Sequence, residues 1–268
     1  MGEKFKIPAF TPPSEAEIEA CWADKYARMR QDKNNISYWL PRVQNRGIHT
    51  PETMIFDVPY EVARCFIADD PRNSAVEAFL SQNVRGKMGD GQYFIKNGTF
   101  SDKFCFSECV TDREKLLWSF ISINYSAAIL GAGGLSELAL RELIPCDSSK
   151  TPCVYGGLPL RTEIRCFYDF DAKKLIGSVD YWDYGYVFPK LYDRTDQIIF
   201  EHERGRMADG YARHLPRVER LVADCMPDAE LEGKWSVDLL VDEKGEVWLI
   251  DMALAEQSAY WERFRESA

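Results

Sequence analysis

The chain has 268 residues, of which 46% are hydrophobic and 13% aromatic, enough for a packed core in one large domain or two joined lobes. Its 33 Lys and Arg against 43 Asp and Glu give a formal net charge of −10, which excludes the broad basic field that holds a nucleic-acid backbone. No apolar run approaches the roughly 20 residues that cross a bilayer, and the opening MGEKFKIPAF lacks a signal-peptide core. The expectation is a soluble, cytoplasmic protein with neither membrane nor nucleic acid as partner.

Residues 1–13 are Pro-rich and aperiodic, after which Ser14 and Glu17 form a capping box ahead of Ile18, Trp22, Tyr26 and Met29 at helical spacing. That predicts a helix ending near Arg30. Ile36, Trp39, Leu40 and Val43 predict a second, running from Asn35 and closed by Gly47, with an extended stretch through Pro51 to Phe56. Residues 57–85 read as partly helical, punctuated by Pro71. From Gln92 the pattern turns to strand: Tyr93–Lys96, a small polar tip at Asn97–Asp102, and Lys103–Phe106 predict a hairpin with a flexible end. Thr111 and Glu114 read as a second capping box for a helix through Leu116, Leu117 and Phe120 that fades before Gly131–Gly134, and Pro145 closes the element formed by Leu138–Ile144.

Arg161–Phe170 and Leu175–Trp182 alternate as paired strands about a turn at 171–174. A helical tract over 195–226 is expected to break at Gly210 and Pro216. Trp235–Val241 and Glu246–Met252 predict a last hairpin about Asp242–Gly245. Helices first and hairpins between helices thereafter describe an α+β chain, not an alternating βαβ sheet. The eight cysteines read as reduced thiols scattered through the core, since Cys105-x3-Cys109 and Cys146-x6-Cys153 lack a tight paired spacing and a nearby histidine.

Three places carry chemistry. Asp238 and Asp251 lie in the otherwise apolar strands of the last hairpin; such acids either meet an arginine or a strand end, or together hold a cation such as Mg²⁺. Lys96 ends an aromatic strand before a loop of small residues whose backbone N–H groups are free to approach an anion, although the same pattern describes an ordinary surface hairpin. Glu163 and Arg165 are two apart and share one strand face, as a site or as a solvated pair. His49, His202 and His214 stand apart from all three and read as surface or packing residues.

In order, these segments resemble the ATP-grasp superfamily across roughly residues 32–260. Asp32-Lys33, Gly47-Ile48, Pro51 and Thr53 are similar to its opening segment, Phe94-Ile95-Lys96 to its second ATP lysine and mobile phosphate-covering loop, Arg141–Pro145 to the interlobe hinge, Glu163 to the ribose-binding acid, and Asp238 and Asp251 to the metal-binding acids. Glu-Ile-Arg-Cys-Phe and Trp-Leu-Ile-Asp are most like the small phage and bacterial ligase-like members and the eukaryotic cell-division-cycle group that assembles a translation factor. The resemblance implies two α/β lobes clamping a nucleotide: a reduced helical N-terminal region over 1–90, a central lobe over 91–145 and a C-terminal lobe over 146–268.

It further implies ATP and Mg²⁺ as cofactors and an ADP-forming carboxylate–amine ligase acting through an acyl phosphate. Lys33, Lys96, Glu142, Leu143, Ile144 and Glu163 would bind ATP, Asp238 and Asp251 the metal, and Arg165 with Lys96 would be catalytic. The carboxylate and amine are unidentified, with peptides and proteins among the candidates, and an ATP-binding assembly factor without turnover is the alternative. The chain departs from the family pattern at Ala253, where a metal-binding asparagine is usual, at Ser236, where many ligases have arginine, and in an insertion over Cys146–Leu160.

Overall fold

Ser14 opens the first helix as its sequence requires: its hydroxyl accepts from Glu17 N, and the Glu17 carboxylate accepts from Ser14 N at 2.8 Å. The computed structural model describes residues 12–68, 70, 74–147 and 150–265; most of the Pro-rich leader and Pro71 lie outside them. In chain order come α1 (Glu15–Arg30), α2 (Ile36–Val43), β1 (Thr53–Asp57), α3 (Tyr60–Ile67), α4 (Ser74–Phe79), β2 (Tyr93–Asn97), α5 (Phe106–Cys109), β3 (Val110–Thr111), α6 (Leu116–Leu130) and β4 (Glu137–Glu142). They are followed by β5 (Cys153–Val154), β6 (Leu158–Pro159), β7 (Thr162–Asp169), β8 (Lys174–Asp180), α7 (Tyr184–Val187), α8 (Arg194–Cys225), β9 (Lys234–Val241) and β10 (Val247–Leu254). Among the described residues no helix is long and apolar enough to cross a membrane.

The α+β expectation holds as two four-stranded antiparallel sheets, β1-β4-β2-β3 and β10-β9-β7-β8. Phe56, Ile95, Leu138 and Leu140 bury one face of the first sheet under Phe66, Phe79 and Phe120 of the surrounding helices. Ile164, Cys166, Tyr168, Val237 and Leu239 do the same for the second, under α2 (Trp39, Val43) and α8 (Val218, Val222). Each sheet therefore has an apolar core on one face, and Ile55 and Ala139 on the other face of the first sheet join the core of the second.

Several local expectations are overturned. The predicted 93–106 hairpin does not form: β2 pairs along its whole length with β4, Tyr93 opposite Glu142 and Asn97 opposite Leu138, and on its other side with β3. Pairing with the apolar β4 buries Ile95 against Leu140, which the near neighbour Lys103–Phe106 could not do, and that segment instead coils into a 3₁₀ turn and α5. The turn that leads into α6 is closed by Asp112, whose carboxylate accepts from Glu114 N and Lys115 N at 2.9 Å each, while Thr111 is buried in β3 and caps no helix. Helix α2 ends at Val43, short of Gly47, and Met54–Phe56 are recruited into β1.

The tract over 195–226 is one unbroken helix of 32 residues. Pro216 is on the exposed side, where water can take the carbonyl it frees. Gly210 is a contact point: a Cβ there would lie 2.4 Å from Thr162 Oγ1 on β7. Nor are the cysteines uniformly core residues. Cys65, Cys109 and Cys166 are buried, but Cys21 and Cys105 are exposed and Cys146, Cys153 and Cys225 half-buried, all as free thiols.

The C-terminal segment crosses the second sheet. Tyr260 takes a left-handed conformation (φ 72°), donates its hydroxyl to Tyr181 O at 2.9 Å, and brings Trp261 and Phe264 onto Phe167. Phe264 fits the hollow over Gly177, where a Cβ would stand 2.3 Å from its ring.

Candidate functional site

A cavity of about 330 Å³ lies between the two sheets. Phe94 and Lys96 enter it from one face of β2, Arg141 and Glu142 from the end of β4, Glu163 from β7, Asp238 and Leu240 from β9, and Asp251 from β10. Period-2 alternation explains the choice: Phe94 and Lys96, and Asp238 and Leu240, are two apart, so each pair presents to one side. Leu143, Ile144 and Pro145 close one end. The insertion supplies part of the wall, because the β5–β6 ribbon carries Gly157, Leu158 and Pro159 into the lining.

The two acids of the last hairpin are register partners, Asp238 opposite Asp251, beside a bulge between Leu249 and Asp251. Each is met by a cation. Arg165, the cross-strand partner of Asp238, donates Nε at 2.7 Å and Nη2 at 2.6 Å to its two oxygens and Nη1 to Ala259 O at 3.2 Å. Lys96, buried to 2% exposure, donates to Asp251 Oδ1 at 2.9 Å. Arginine-paired acids were one of the two readings open from sequence, and this is the arrangement at Asp238. Arg165 itself stands behind Asp238 and does not line the cavity.

Burial would raise the Asp251 carboxyl, but Lys96, Arg141 and Lys103 outweigh it and hold its pKa below the ordinary value. Glu163 shows the opposite balance: burial raises it more than Lys103 and Arg161 lower it. Burial also works against Arg165, yet Asp238 more than restores its charge. Arg141 is drawn down to about 10 by burial.

Of the residues singled out from sequence, the structure brings together Lys96, Glu142, Leu143, Ile144, Glu163, Asp238 and Asp251 around one cavity, with Arg165 adjoining. It does not bring Lys33. Asn34 donates to Gln257 Oε1 and accepts from Leu254 N, tying the 32–35 turn to the end of β10 and leaving Lys33 exposed, 6.0 Å from the centre of the Tyr38 ring. Nor are the three histidines near the cavity. His49 packs on Trp248, His202 meets Glu203, and His214 lies on α8.

The segment after Lys96 differs from the flexible loop expected. Asn97 Oδ1 accepts from Thr99 N at 3.2 Å and Phe100 N at 2.8 Å, Asn97 N donates to Phe100 O, and Gly98 N donates to Gly134 O. Thr99 Oγ1 reaches Ala132 O at 3.0 Å. The turn is pinned, and the amides of residues 97–100 are already engaged within the fold.

Three cationic residues of the lining were given no site role from sequence: Arg141, Lys103 and Arg161, the last donating Nη1 to Ile144 O at 3.2 Å and Pro145 O at 3.4 Å. Arg141 is 4% exposed; it donates Nε to Thr53 Oγ1 at 3.2 Å and Nη1 to Ile250 O, and its Nη2 has no hydrogen-bond partner among the described residues. A basic residue closing the apolar run Leu138-Ala139-Leu140 was the available signal. Lys103 lines the cavity from the 3₁₀ turn, donates to Tyr181 Oη and sits 4.0 Å above the Tyr181 ring. Its placement in a presumed hairpin hid it.

Asp238 and Asp251 are the oxygen donors that a divalent ion would meet here, with both Asp238 oxygens accepting from Arg165 and Asp251 Oδ1 from Lys96. Hard oxygen donors from two facing carboxylates suffice for Mg²⁺, which usually takes one or two carboxylates and completes its shell with substrate phosphates. Among the described residues no group of three His, Cys, Asp or Glu side chains forms a cage made by the protein alone.

No protein-family model and no curated protein matches the sequence. Solved structures do. A D-alanine–D-alanine ligase from Bacillus anthracis complexed with ATP is 11% identical over 87% of this chain and 58% of its own, with a TM-score of 0.41. The VanG D-Ala:D-Ser ligase from Enterococcus faecalis is 13% identical over 82% and 51%, at 0.39. An ATP-grasp RimK domain protein from Sphaerobacter thermophilus is 12% identical over 89% and 64%, at 0.40. The chain thus spans less than two thirds of the length of each.

Proposed function

We propose that this chain is a reduced ATP-grasp protein whose interlobe cleft binds Mg-ATP and uses it for ADP-forming carboxylate–amine ligation. What supports the reading is one observation: seven residues picked from separate motifs between positions 96 and 251 line a single cavity between two sheets. In this reading residues 91–145 and 146–268 form the two lobes, and β1 adds a strand to the first.

Lys96 holds phosphate oxygens, Glu142 with the backbone of Leu143 and Ile144 meets the adenine, and Glu163 the ribose. Asp238 and Asp251 would hold Mg²⁺, which when bound neutralises phosphate charge. A carboxylate substrate attacks the terminal phosphorus and releases ADP; an amine then displaces phosphate, losing a proton as the amide forms. Positioning and charge neutralisation carry most of such a reaction. Lys33 is left out of the set.

Arg165 and position 253 favour a second reading. Three N–H groups of Arg165 are committed to Asp238 and Ala259 O, and Ala253 supplies no metal ligand. Both suit an ATP-binding assembly factor that holds a protein partner without forming an amide.

Calorimetric titration of Mg-ATP into the wild type and Asp251→Asn tests the nucleotide site. Binding to the wild type that weakens in a variant of unchanged melting behaviour is expected; no binding to the wild type removes the reading. ADP release stimulated by a panel of amino acids and peptides then separates ligase from assembly factor.

A further inference from the structure

The amides of residues 97–100 that follow Lys96 are turned inward onto Asn97, Phe100 and Gly134, so this turn does not offer a phosphate a free nest of N–H groups. The same segment, three residues further on, delivers an ammonium. Lys103 lines the cavity, and its Nζ rests on the neutral phenol of Tyr181, which the opposite lobe supplies just after β8. Among the described residues Lys103 makes no ion pair; burial draws its pKa below the ordinary value, more than Glu163, Asp238 and Asp251 restore it, so an anion in the cavity would favour the charged form. Arg165 lies 5.0 Å from the centre of the same ring.

Across the cavity, Arg141 is more than nine-tenths buried and holds an Nη2 with no acceptor among the described residues. A buried guanidinium donor left unmatched is costly, and an anion in the cavity would satisfy it. Lys96 and Arg165 are each matched to a carboxylate; among the described residues Lys103, paired with a phenol, and Arg141 and Arg161, paired with neutral oxygens, are the cavity cations without an ion pair.

We propose that Lys103 grips the polyphosphate of the bound nucleotide in place of the engaged amides of residues 97–100, exchanging the Tyr181 hydroxyl for phosphate oxygens. The proposal rests on the nucleotide reading above. A charged acceptor makes the stronger hydrogen bond with an ammonium than a phenol does, so the exchange favours ligands in order of phosphate charge. Because Lys103 and Tyr181 belong to opposite lobes, the same exchange releases a contact between them when nucleotide enters.

The test is parallel titration of Mg-ATP and of adenosine into the wild type, Lys103→Met, Lys103→Arg and Tyr181→Phe. Lys103→Met is expected to weaken ATP by about tenfold or more, the size of a lost charge-assisted hydrogen bond, while adenosine affinity is unchanged. Lys103→Arg should restore most of the loss, and Tyr181→Phe should bind ATP as well as the wild type or better. A wild type that binds ATP and a Lys103→Met variant that binds it equally would overturn the clamp and leave the nucleotide site standing. Loss of adenosine along with ATP in Lys103→Met would overturn it too, by making Lys103 a residue of the fold. A wild type that binds neither ligand removes the nucleotide reading and the clamp together.

Discussion

Arg165 and Asp238 face each other across β7 and β9 and share two hydrogen bonds of 2.7 and 2.6 Å, with side chains only 11% and 8% exposed. The geometry is the bidentate fork that arginine makes with a carboxylate. Removing the arginine strands a carboxylate in a dry strand. Arg165→Met should therefore cost roughly 3–5 kcal/mol of folding stability, in the range found when one partner of a buried pair is lost. Arg165→Met with Asp238→Asn should cost less than the two single losses added, and a double-mutant cycle by urea denaturation reads the difference. Strict additivity would show that the pair is not coupled.

Where α8 crosses β7, Gly210 and Thr162 leave no room for a methyl group. Gly210→Ala should destabilise by about 1–3 kcal/mol, the cost of overpacking, although alanine is the better helix former. With Thr162→Ala as background the clash is gone, and the same Gly210→Ala change should stabilise by up to about 1 kcal/mol through helix propensity. Thermal melts of the four proteins check the reversal of sign.

Asp180, at the end of β8, has its carboxyl raised from the ordinary 3.8 to about 6 by burial, although Trp182 N donates to it at 2.9 Å. Below the ordinary value the acid is protonated in both states and has no effect on stability. As pH rises through the folded value the native state must carry a poorly solvated charge, so stability is lost between about pH 4 and 6 and stays lower above. Asp180→Asn keeps the acceptor for Trp182 N. It should raise stability at pH 8 by roughly 1–3 kcal/mol and change nothing at pH 3.5, as measured by urea midpoints at the two pH values.

Most strands of the second lobe were legible because alternation of period 2 over Arg161–Phe170 and Trp235–Val241 is a local signal, and both hairpins turn at short polar links. The first lobe was harder. Whether β2 pairs with its neighbour in sequence or with β4, more than forty residues away, depends on how much apolar surface each choice buries, and propensity does not encode that. Closure of the turn before α6 by Asp112, where a cap at Thr111 was expected, was a matter of one residue of register. At the site, residues embedded against type, such as Asp238 in an apolar strand, announced themselves. Lys103 did not, because a lysine in a polar loop is unremarkable until Tyr181 is seen beneath it.

The carbonyl of Ala259 is one of the three acceptors that fix Arg165, and it is set there by Tyr260, by Phe264 over Gly177 and by the Arg263–Asp183 pair at 3.3 Å. A side chain added at Gly177, or the loss of the Tyr260 hydroxyl, would therefore be felt at Arg165 and Asp238 without touching the cavity lining.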